Sequence, residues 1–206
     1  IILLLKPQKN KQDPTSYRPI SLLSCLGKLL EKIIKHRLSR ELEERSLLPK
    51  HQAGFRPGKS TIYNITRLER YIKHNIERKQ HTAAIMFDIK AAFDSVWHNG
   101  LIYKMHKVRL PTPLFRYLIA FLQDRTAYIE LDNELSYKFK PRRGTPQGSP
   151  LSPLLYILYT ANSVKGIPSH TKHGLFVDDT ALWTASTTYT RVRERLQQST
   201  NIFTRW

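Results

Sequence analysis

Residues 174–183 constrain the fold more than any other part of the sequence. They place two adjacent aspartates, Asp178 and Asp179, between two short apolar runs that favour β-strands. This pattern predicts a tight hairpin with both carboxylates at its turn. Adjacent like charges are unfavourable unless a cation holds them, and Mg²⁺ is a divalent ion that binds carboxylate oxygens. An acidic surface turn is the ordinary alternative, because Asp is common in turns.

The charge of the chain indicates its class of partner. Its 206 residues include 34 Lys and Arg against 16 Asp and Glu, which gives a formal net charge of +18. Such a basic surplus favours a polyanionic partner, with nucleic acid ahead of a membrane surface. No apolar run approaches the roughly 18 residues of a membrane span, and no signal peptide is recognisable. The single cysteine, Cys25, fits a reducing compartment, and we expect it to be a core thiol.

The periodicity along the chain predicts a mixture of helices and strands large enough for one core or two small lobes. A helix capped by Ser60 or Thr61 is expected to bury Ile62, Ile65, Leu68, Ile72 and Ile76. Strands are predicted at residues 1–5, 82–87, 127–131 and 136–140, the last two as a hairpin across 132–134. The other predicted helices cover residues 20–45, 98–108, 113–124, 154–161 and 190–206.

A third carboxylate completes a candidate site. Asp88 follows the predicted strand at 82–87, and this strand and the Asp178–Asp179 hairpin can be neighbours in one antiparallel sheet. Three carboxylates suffice for two metal ions about 3.5–4 Å apart, which hold the attacking and leaving oxygens of a phosphoryl transfer. One ion would activate a 3′-hydroxyl, and the other would hold a triphosphate.

Other kinds of site have less support. The loop at residues 51–61 is Gly-rich and basic, but three residues separate Gly54 from Gly58, whereas a P-loop requires four. With one cysteine, a zinc site lacks convincing ligands. No constellation of a Ser or Cys hydrolase is present.

Five segments carry a resemblance to a known family. They are YRPISL at 17–22, QAGFRPGKST at 52–61, FDIKAAFD at 87–94, QGSPLSP at 147–153 and FVDD at 176–179. In this order and spacing they resemble two fingers motifs and the first three palm motifs of reverse transcriptases. The fingers motifs are similar to those of non-LTR retrotransposons, close to jockey-type elements. An intron-type reverse transcriptase remains an alternative.

The resemblance implies an α+β fold, the fingers and palm of a right-hand polymerase, with an antiparallel palm sheet flanked by helices. Residues 1–80 would be fingers-like. Residues 81–206 would be palm-like with part of the fingers, and we expect this partial reverse transcriptase domain to stop before the later palm motifs and the thumb.

The resemblance also assigns roles to individual residues. Asp88, Asp178 and Asp179 would be catalytic and would bind two Mg²⁺ ions, or Mn²⁺ in their place, with the Ile89 carbonyl as a further ligand. Four residues would contact the incoming nucleotide: Arg56, Phe93, Gln147 and Gly148. Lys59 would contact template phosphate. Phe93 is at the family's steric-gate position, where a large ring would exclude a ribose 2′-hydroxyl.

The implied function is that of an RNA-directed DNA polymerase, which joins a dNTP to a primer 3′-hydroxyl. Its partners would be an RNA template, a DNA primer, dNTPs, the element's own RNA and target DNA, without a membrane. The protein would be intracellular and would act in the nucleus at the site of insertion. A non-catalytic nucleic-acid-binding remnant is the alternative from another class. One departure from the family is Val177, where Ala is usual, and the extra methyl groups are expected to crowd whatever packs against the hairpin.

Overall fold

A computed structural model describes residues 1–123, 125–131 and 134–206. These residues form two compact units, the first from Ile1–Arg45 and Ala91–Tyr159, the second from Ser46–Lys90 and Thr160–Trp206. The strands are β1 (Ile2–Leu5), β2 (Tyr17–Ile20), β3 (His81–Phe87), β4 (Glu130–Leu131), β5 (Glu134–Leu135), β6 (Thr171–Phe176) and β7 (Asp179–Ser186). The α-helices are α1 (Cys25–Glu44), α2 (Thr61–Glu77), α3 (His98–Lys107), α4 (Thr112–Leu122), α5 (Ser152–Tyr159) and α6 (Tyr189–Thr204).

The first unit contains a four-stranded sheet in the order β2-β1-β4-β5. Pro19 is compatible with β2 because this strand is at an edge, where no ladder hydrogen bond from the proline nitrogen is needed. The runs around 127 and 139, which were predicted to form a hairpin, meet at an antiparallel bridge between Ala127 and Phe139. The predicted strand bounds are wrong, because the paired strands are the shorter β4 and β5, and Glu134, predicted in the turn, pairs with Leu131. The predicted turn of that hairpin includes residues 132 and 133, and the predicted end of the fourth helix is at 124. These three positions lie outside the described residues.

Helices supply the core of the first unit. In α1, Ile34, Leu38 and Leu42 are buried at a spacing of four residues, which places them on one helix face. Helix α3 packs against α4 and α5. Seven of the apolar side chains in these three helices are almost fully buried: Leu101, Met105, Leu118, Leu122, Leu154, Leu155 and Ile157.

The amino end of α1 corrects two predictions. The helix begins at Cys25 and not at Ile20, because Ile20 pairs with Ile2 in the sheet. Cys25 is exposed, so the expectation of a core thiol is wrong. Leu26, the next residue in the predicted apolar pattern, is 78% exposed.

The second unit contains a three-stranded antiparallel sheet in the order β3-β7-β6. The central strand β7 is the most buried, with Leu182, Trp183 and Thr184 at most 1% exposed. Helix α6 packs against β3, β6 and β7, and its N-cap Thr188 accepts a hydrogen bond from the backbone N–H of Arg191. The predicted strand before Asp88 and the predicted 178–179 hairpin are both confirmed.

Helix α2 corrects the prediction of its inner face. Ile62, Ile65 and Ile76 are each more than 60% exposed. The face of α2 that contacts β6 carries polar groups instead, because the Asn64 amide donates to the Leu175 carbonyl (2.9 Å) and Arg67 donates to the His173 carbonyl (3.0 Å). These bonds satisfy carbonyls on the outer strand of the sheet.

The compact units divide the chain differently from the predicted fingers-like and palm-like regions, and compactness does not test which residues serve as fingers or palm, so that division stays a prediction. Over the described ranges, with gaps at 124 and at 132–133, none of the helices has both the length and the apolar composition needed to cross a membrane.

Candidate active site

Asp88, Asp178 and Asp179 are at the same end of the sheet in the second unit. Phe87, the last residue of β3, is the register partner of Thr180, and Asp88 follows it directly. Asp179 is the first residue of β7, and Asp178 precedes it in the turn from β6. Because β3 and β7 are antiparallel neighbours, the carboxyl end of one lies beside the amino end of the other. The sheet thus brings together aspartates that are far apart in sequence.

These carboxylates influence one another. The pKa of Asp179 is raised above its ordinary value, first because partial burial disfavours the charged form and then because Asp178 and Asp88 are like charges nearby. Such repulsion favours uptake of a proton or of a cation. Carboxylate oxygens are the ligands that Mg²⁺ prefers, so the donor set fits a divalent ion.

The side chains do not form a closed metal site. Within residues 1–123, 125–131 and 134–206, no group of three His, Cys, Asp or Glu side chains is arranged to hold an ion. The metal-binding roles of Asp88, Asp178, Asp179 and the Ile89 carbonyl therefore stay predictions. The fit to a divalent ion depends on the donor chemistry and on the charge repulsion felt by Asp179.

The turn that carries the aspartates has an unusual backbone. Phe176 and Asp179 are register partners, so Val177 and Asp178 form a two-residue loop. Val177 has a φ of +62°, whereas Asp178 is not among the residues with positive φ. Positive φ at the first central residue alone is typical of a type II′ turn, where glycine is usual. A buried valine at this position is strained, because its branched side chain disfavours the left-handed region.

A segment of the predicted fingers loop packs along β6. The Leu175 N–H donates to the His51 carbonyl (3.1 Å), and the Ala53 N–H donates to the Leu175 carbonyl (2.8 Å). Gln52 is thereby bridged to Leu175 in parallel register. A Cβ on Gly54 would lie 2.4 Å from the Val177 side chain, so this loop approaches the turn as closely as a glycine allows. The group that Val177 crowds is therefore the Gly54 backbone.

The two predicted phosphate-binding cations contact their own loop. Arg56 donates to the Pro49 carbonyl at 2.7 Å. Lys59 donates to the Lys50 carbonyl at 2.5 Å, and its ammonium lies 5.4 Å from the centre of the Tyr63 ring. Both bonds fold the loop from residue 49 to 59, and the predicted contacts with nucleotide and template stay predictions.

The remaining predicted residues belong to the first unit. The Phe93 ring packs against Tyr156, with 5.0 Å between ring centres. The Gln147 amide donates to the Asp94 carboxylate at 2.8 Å, and the Gln147 carbonyl accepts from the Ser21 N–H at 2.7 Å. Gly148 has a φ of +111°, and a Cβ there would lie 2.9 Å from the Ser21 carbonyl oxygen. The part of the first palm motif from Ala91 to Asp94 thus meets the second palm motif and the first fingers motif within this unit.

Asp94, the last residue of the first palm motif, has a structural role that the sequence did not predict. Burial raises the pKa of its carboxyl group, while the hydrogen bond from Gln147 and the charge of Lys6 act in the opposite direction. The sequence signal that could have indicated this role is its position directly after Phe93. Asp94 orients the amide that was predicted to contact the incoming nucleotide.

A comparison with known protein families decides the identity of the fold. The model of the family described as reverse transcriptase (RNA-dependent DNA polymerase) matches residues 7–206. The chain belongs to the reverse transcriptase family. The match contains all five motifs on which the resemblance was based, and it confirms that resemblance.

Curated relatives of this reverse transcriptase domain are mobile-element polymerases. A probable RNA-directed DNA polymerase from transposon BS of Drosophila melanogaster is 44% identical over 162 residues, covering 79% of the chain and 18% of the relative. The RNA-directed DNA polymerase from mobile element jockey of Drosophila funebris is 36% identical, covering 100% of the chain and 23% of the relative. The chain therefore spans about a fifth of the length of these relatives. The predicted similarity to jockey-type elements is confirmed.

Solved structures with a similar fold include the telomerases of two Candida species. Telomerase from Candida albicans, in complex with a fragment of telomeric RNA, superposes with a TM-score of 0.59 at 12% identity, over 83% of the chain and 32% of that protein. The Candida tropicalis telomerase complex gives a TM-score of 0.58 at 14% identity, over 80% of the chain and 30% of that protein. The fold is the predicted α+β fold of polymerase fingers and palm.

Proposed function

We propose that this reverse transcriptase domain carries out RNA-directed DNA synthesis for a non-LTR retrotransposon. The observation that carries the proposal is the position of three carboxylates at one end of β3 and β7, in a chain matched by the reverse transcriptase family almost from end to end. The reaction is nucleotidyl transfer from a dNTP to the 3′-hydroxyl of a DNA primer paired with an RNA template.

Asp88, Asp178 and Asp179, with the Ile89 carbonyl, are the groups that would hold two divalent ions, Mg²⁺ or Mn²⁺. When bound there, such ions would supply Lewis-acid stabilisation to the attacking hydroxyl and to the charge that develops on the leaving pyrophosphate. The raised pKa of Asp179 supports this assignment, because a carboxylate held beside two like charges gains from a cation.

Four residues would select and orient the dNTP. The Phe93 ring excludes a 2′-hydroxyl, and its packing against Tyr156 limits the freedom of the ring to move aside. Gln147 is held by Asp94, and Gly148 keeps the backbone beside it free of a side chain. Arg56 supplies a guanidinium, whose planar donors match phosphate oxygens, and Lys59 contacts template phosphate.

The remaining partners follow from the charge of the chain and from its relatives. A net charge of +18 suits the phosphate backbones of the template–primer duplex, the element RNA and the target DNA. An enzyme that copies element RNA onto target DNA acts where that DNA is, so the site of action is the nucleus. The mobile-element relatives favour this retrotransposon function over that of an intron-type reverse transcriptase.

The decisive experiment is primer extension by the full-length polypeptide on an RNA template with Mg²⁺ and dNTPs. Asp178→Asn keeps the size of the side chain and removes its charge. Because bound metal ions stabilise the transition state by several kcal/mol, we expect incorporation to fall by at least about a hundred-fold.

The matched control removes a negative charge elsewhere in the same unit. Glu194 is exposed on α6, and Glu194→Gln should leave incorporation close to that of the unchanged protein. Unchanged synthesis by Asp178→Asn would show that the carboxylate is not a metal ligand of this reaction.

The second candidate function is nucleic-acid binding without catalysis. The observation that favours it is the large basic surplus, which is sufficient for sequence-independent binding. It would replace the first candidate if the full-length polypeptide bound RNA in a salt-dependent manner yet incorporated no nucleotide with either Mg²⁺ or Mn²⁺.

A further inference from the structure

The side chain of Gln52 connects the fingers loop to the turn that carries the catalytic aspartates. It is 1% exposed, and its Oε1 atom accepts two backbone hydrogen bonds. One comes from the Gly54 N–H at 2.9 Å, and the other comes from the Val177 N–H at 3.1 Å. A single buried oxygen therefore ties together two backbone segments that are more than a hundred residues apart in sequence.

The Val177 N–H belongs to a residue that does not adopt its conformation readily. A non-glycine residue in the left-handed region is uncommon, and the β-branched side chain of Val177, at a φ of +62°, makes it a clear outlier. Such a residue persists only where its surroundings determine the backbone. The hydrogen bond from Val177 to Gln52 is one such constraint, and contact with the Gly54 backbone is another.

Main-chain hydrogen bonds to β6 fix the position of Gln52 next to the turn. Leu175 exchanges hydrogen bonds with His51 and Ala53, the residues on either side of Gln52. The Gln52 side chain therefore reaches the turn two residues beyond Leu175, from a position fixed by main-chain hydrogen bonds.

We propose that Gln52 is a positioning residue, which holds Val177 in the left-handed conformation and so fixes the direction in which the Asp178 and Asp179 carboxylates leave the turn. This inference deepens the proposed function, because it concerns the same metal-binding carboxylates. The Gln52 side-chain oxygen bonds to two main-chain N–H groups, so its role would be to position the turn and not to bind substrate. Its effect passes through the backbone of the turn.

The test combines two substitutions in the 206-residue chain. Gln52→Ala removes the acceptor, and Val177→Gly removes the strain, since glycine adopts a positive φ without steric cost. Hydrogen exchange at the amide of residue 177 measures the bond to Gln52, and titration with Mn²⁺ measures how well the carboxylates are placed. Asn64→Ala is the matched control, because it removes a bond to Leu175 and leaves the Val177 amide untouched.

We expect Gln52→Ala to speed exchange at residue 177 by about ten-fold, the equivalent of one lost hydrogen bond. It should weaken Mn²⁺ binding in the chain with Val177 and have much less effect in the chain with Val177→Gly. Asn64→Ala should change both the exchange rate at residue 177 and Mn²⁺ binding less than Gln52→Ala does. This pattern of non-additive effects is not expected of a general loss of stability.

Three results would overturn the inference. They are unchanged exchange at residue 177 in Gln52→Ala, equal weakening of Mn²⁺ binding with valine and with glycine, and an effect of Asn64→Ala as large as that of Gln52→Ala. If the unchanged chain bound no Mn²⁺, the metal assignment of the proposed function would fail. The exchange measurement would still decide whether Gln52 holds the turn.

Discussion

At the scale of single residues, Asp179 connects the proposed reaction with the stability of the folded chain. Its pKa in the folded chain is raised, so the folded state binds protons more tightly than the unfolded state. The contribution of this group to stability therefore falls as pH rises through its titration range. At neutral pH the carboxylate opposes folding, because burial and the charges of Asp178 and Asp88 disfavour its ionised form. A charge required for the proposed reaction is thus retained at a cost in stability.

Neutralising this carboxylate should stabilise the chain at neutral pH. Asp179→Asn is expected to raise the midpoint of thermal unfolding at pH 7 without divalent ions. The gain should disappear below about pH 3, where the unchanged aspartate is protonated in both states. Circular dichroism at the two pH values measures the effect, and Glu194→Gln corrects for the change in net charge. A lower midpoint for Asp179→Asn at pH 7 would contradict the pKa direction.

At the scale of structural elements, the β6–β7 hairpin packs closely against the loop around Gly54. Gly54→Ala places a methyl group 2.4 Å from the Val177 side chain and 2.8 Å from its backbone nitrogen. Overpacking of this kind costs about 1–3 kcal/mol in the free energy of unfolding. Val177→Ala removes the nearer of the two contacts.

We therefore expect Gly54→Ala to destabilise the chain and Val177→Ala to recover part of the loss when the two are combined. The recovery should be incomplete, because the contact with the backbone nitrogen remains. Urea unfolding of the single and double variants measures the coupling. Additive losses would mean that the loop and the hairpin do not pack as described.

The same elements show what the sequence alone can and cannot predict. Strand β3 and the β6–β7 hairpin were predicted because short apolar runs that favour β-strands, and the adjacent aspartates, are local signals. The start of α1 was missed because Ile20 pairs in the sheet with Ile2, a partner distant in sequence. The polar contact face of α2 was missed because it depends on carbonyls of β6, and the role of Gln52 was missed because Val177 is 125 positions away. Local patterns gave the catalytic candidates, whereas long-range pairing determined what supports them.

The charge of the whole molecule predicts how it binds nucleic acid. Basic residues that neutralise phosphates release counterions, so affinity falls steeply with salt. For six to ten phosphate contacts, RNA affinity should fall by about 10³–10⁵-fold between 50 and 200 mM salt.

Fluorescence anisotropy with a labelled RNA at several salt concentrations measures the slope. Replacing the exposed Lys9 and Lys11 of the amino-terminal loop by Gln should reduce it by about one for each phosphate contact that is lost. Binding that did not depend on salt would be evidence against contact with the phosphate backbone.

Pairing of residues 51–53 with β6 also affects the tendency of the protein to aggregate. A β-strand at the edge of a sheet presents free backbone groups that can pair with another molecule. Here the Leu175 N–H and carbonyl are occupied by His51 and Ala53, and Asn64 also donates to that carbonyl. The loop that belongs to the fingers motifs thus shields this edge from intermolecular strand pairing. A sequence change that released the loop would expose the sheet edge to aggregation as well as disturb the turn that carries the aspartates, so solubility and the arrangement of the candidate site depend on the same few residues.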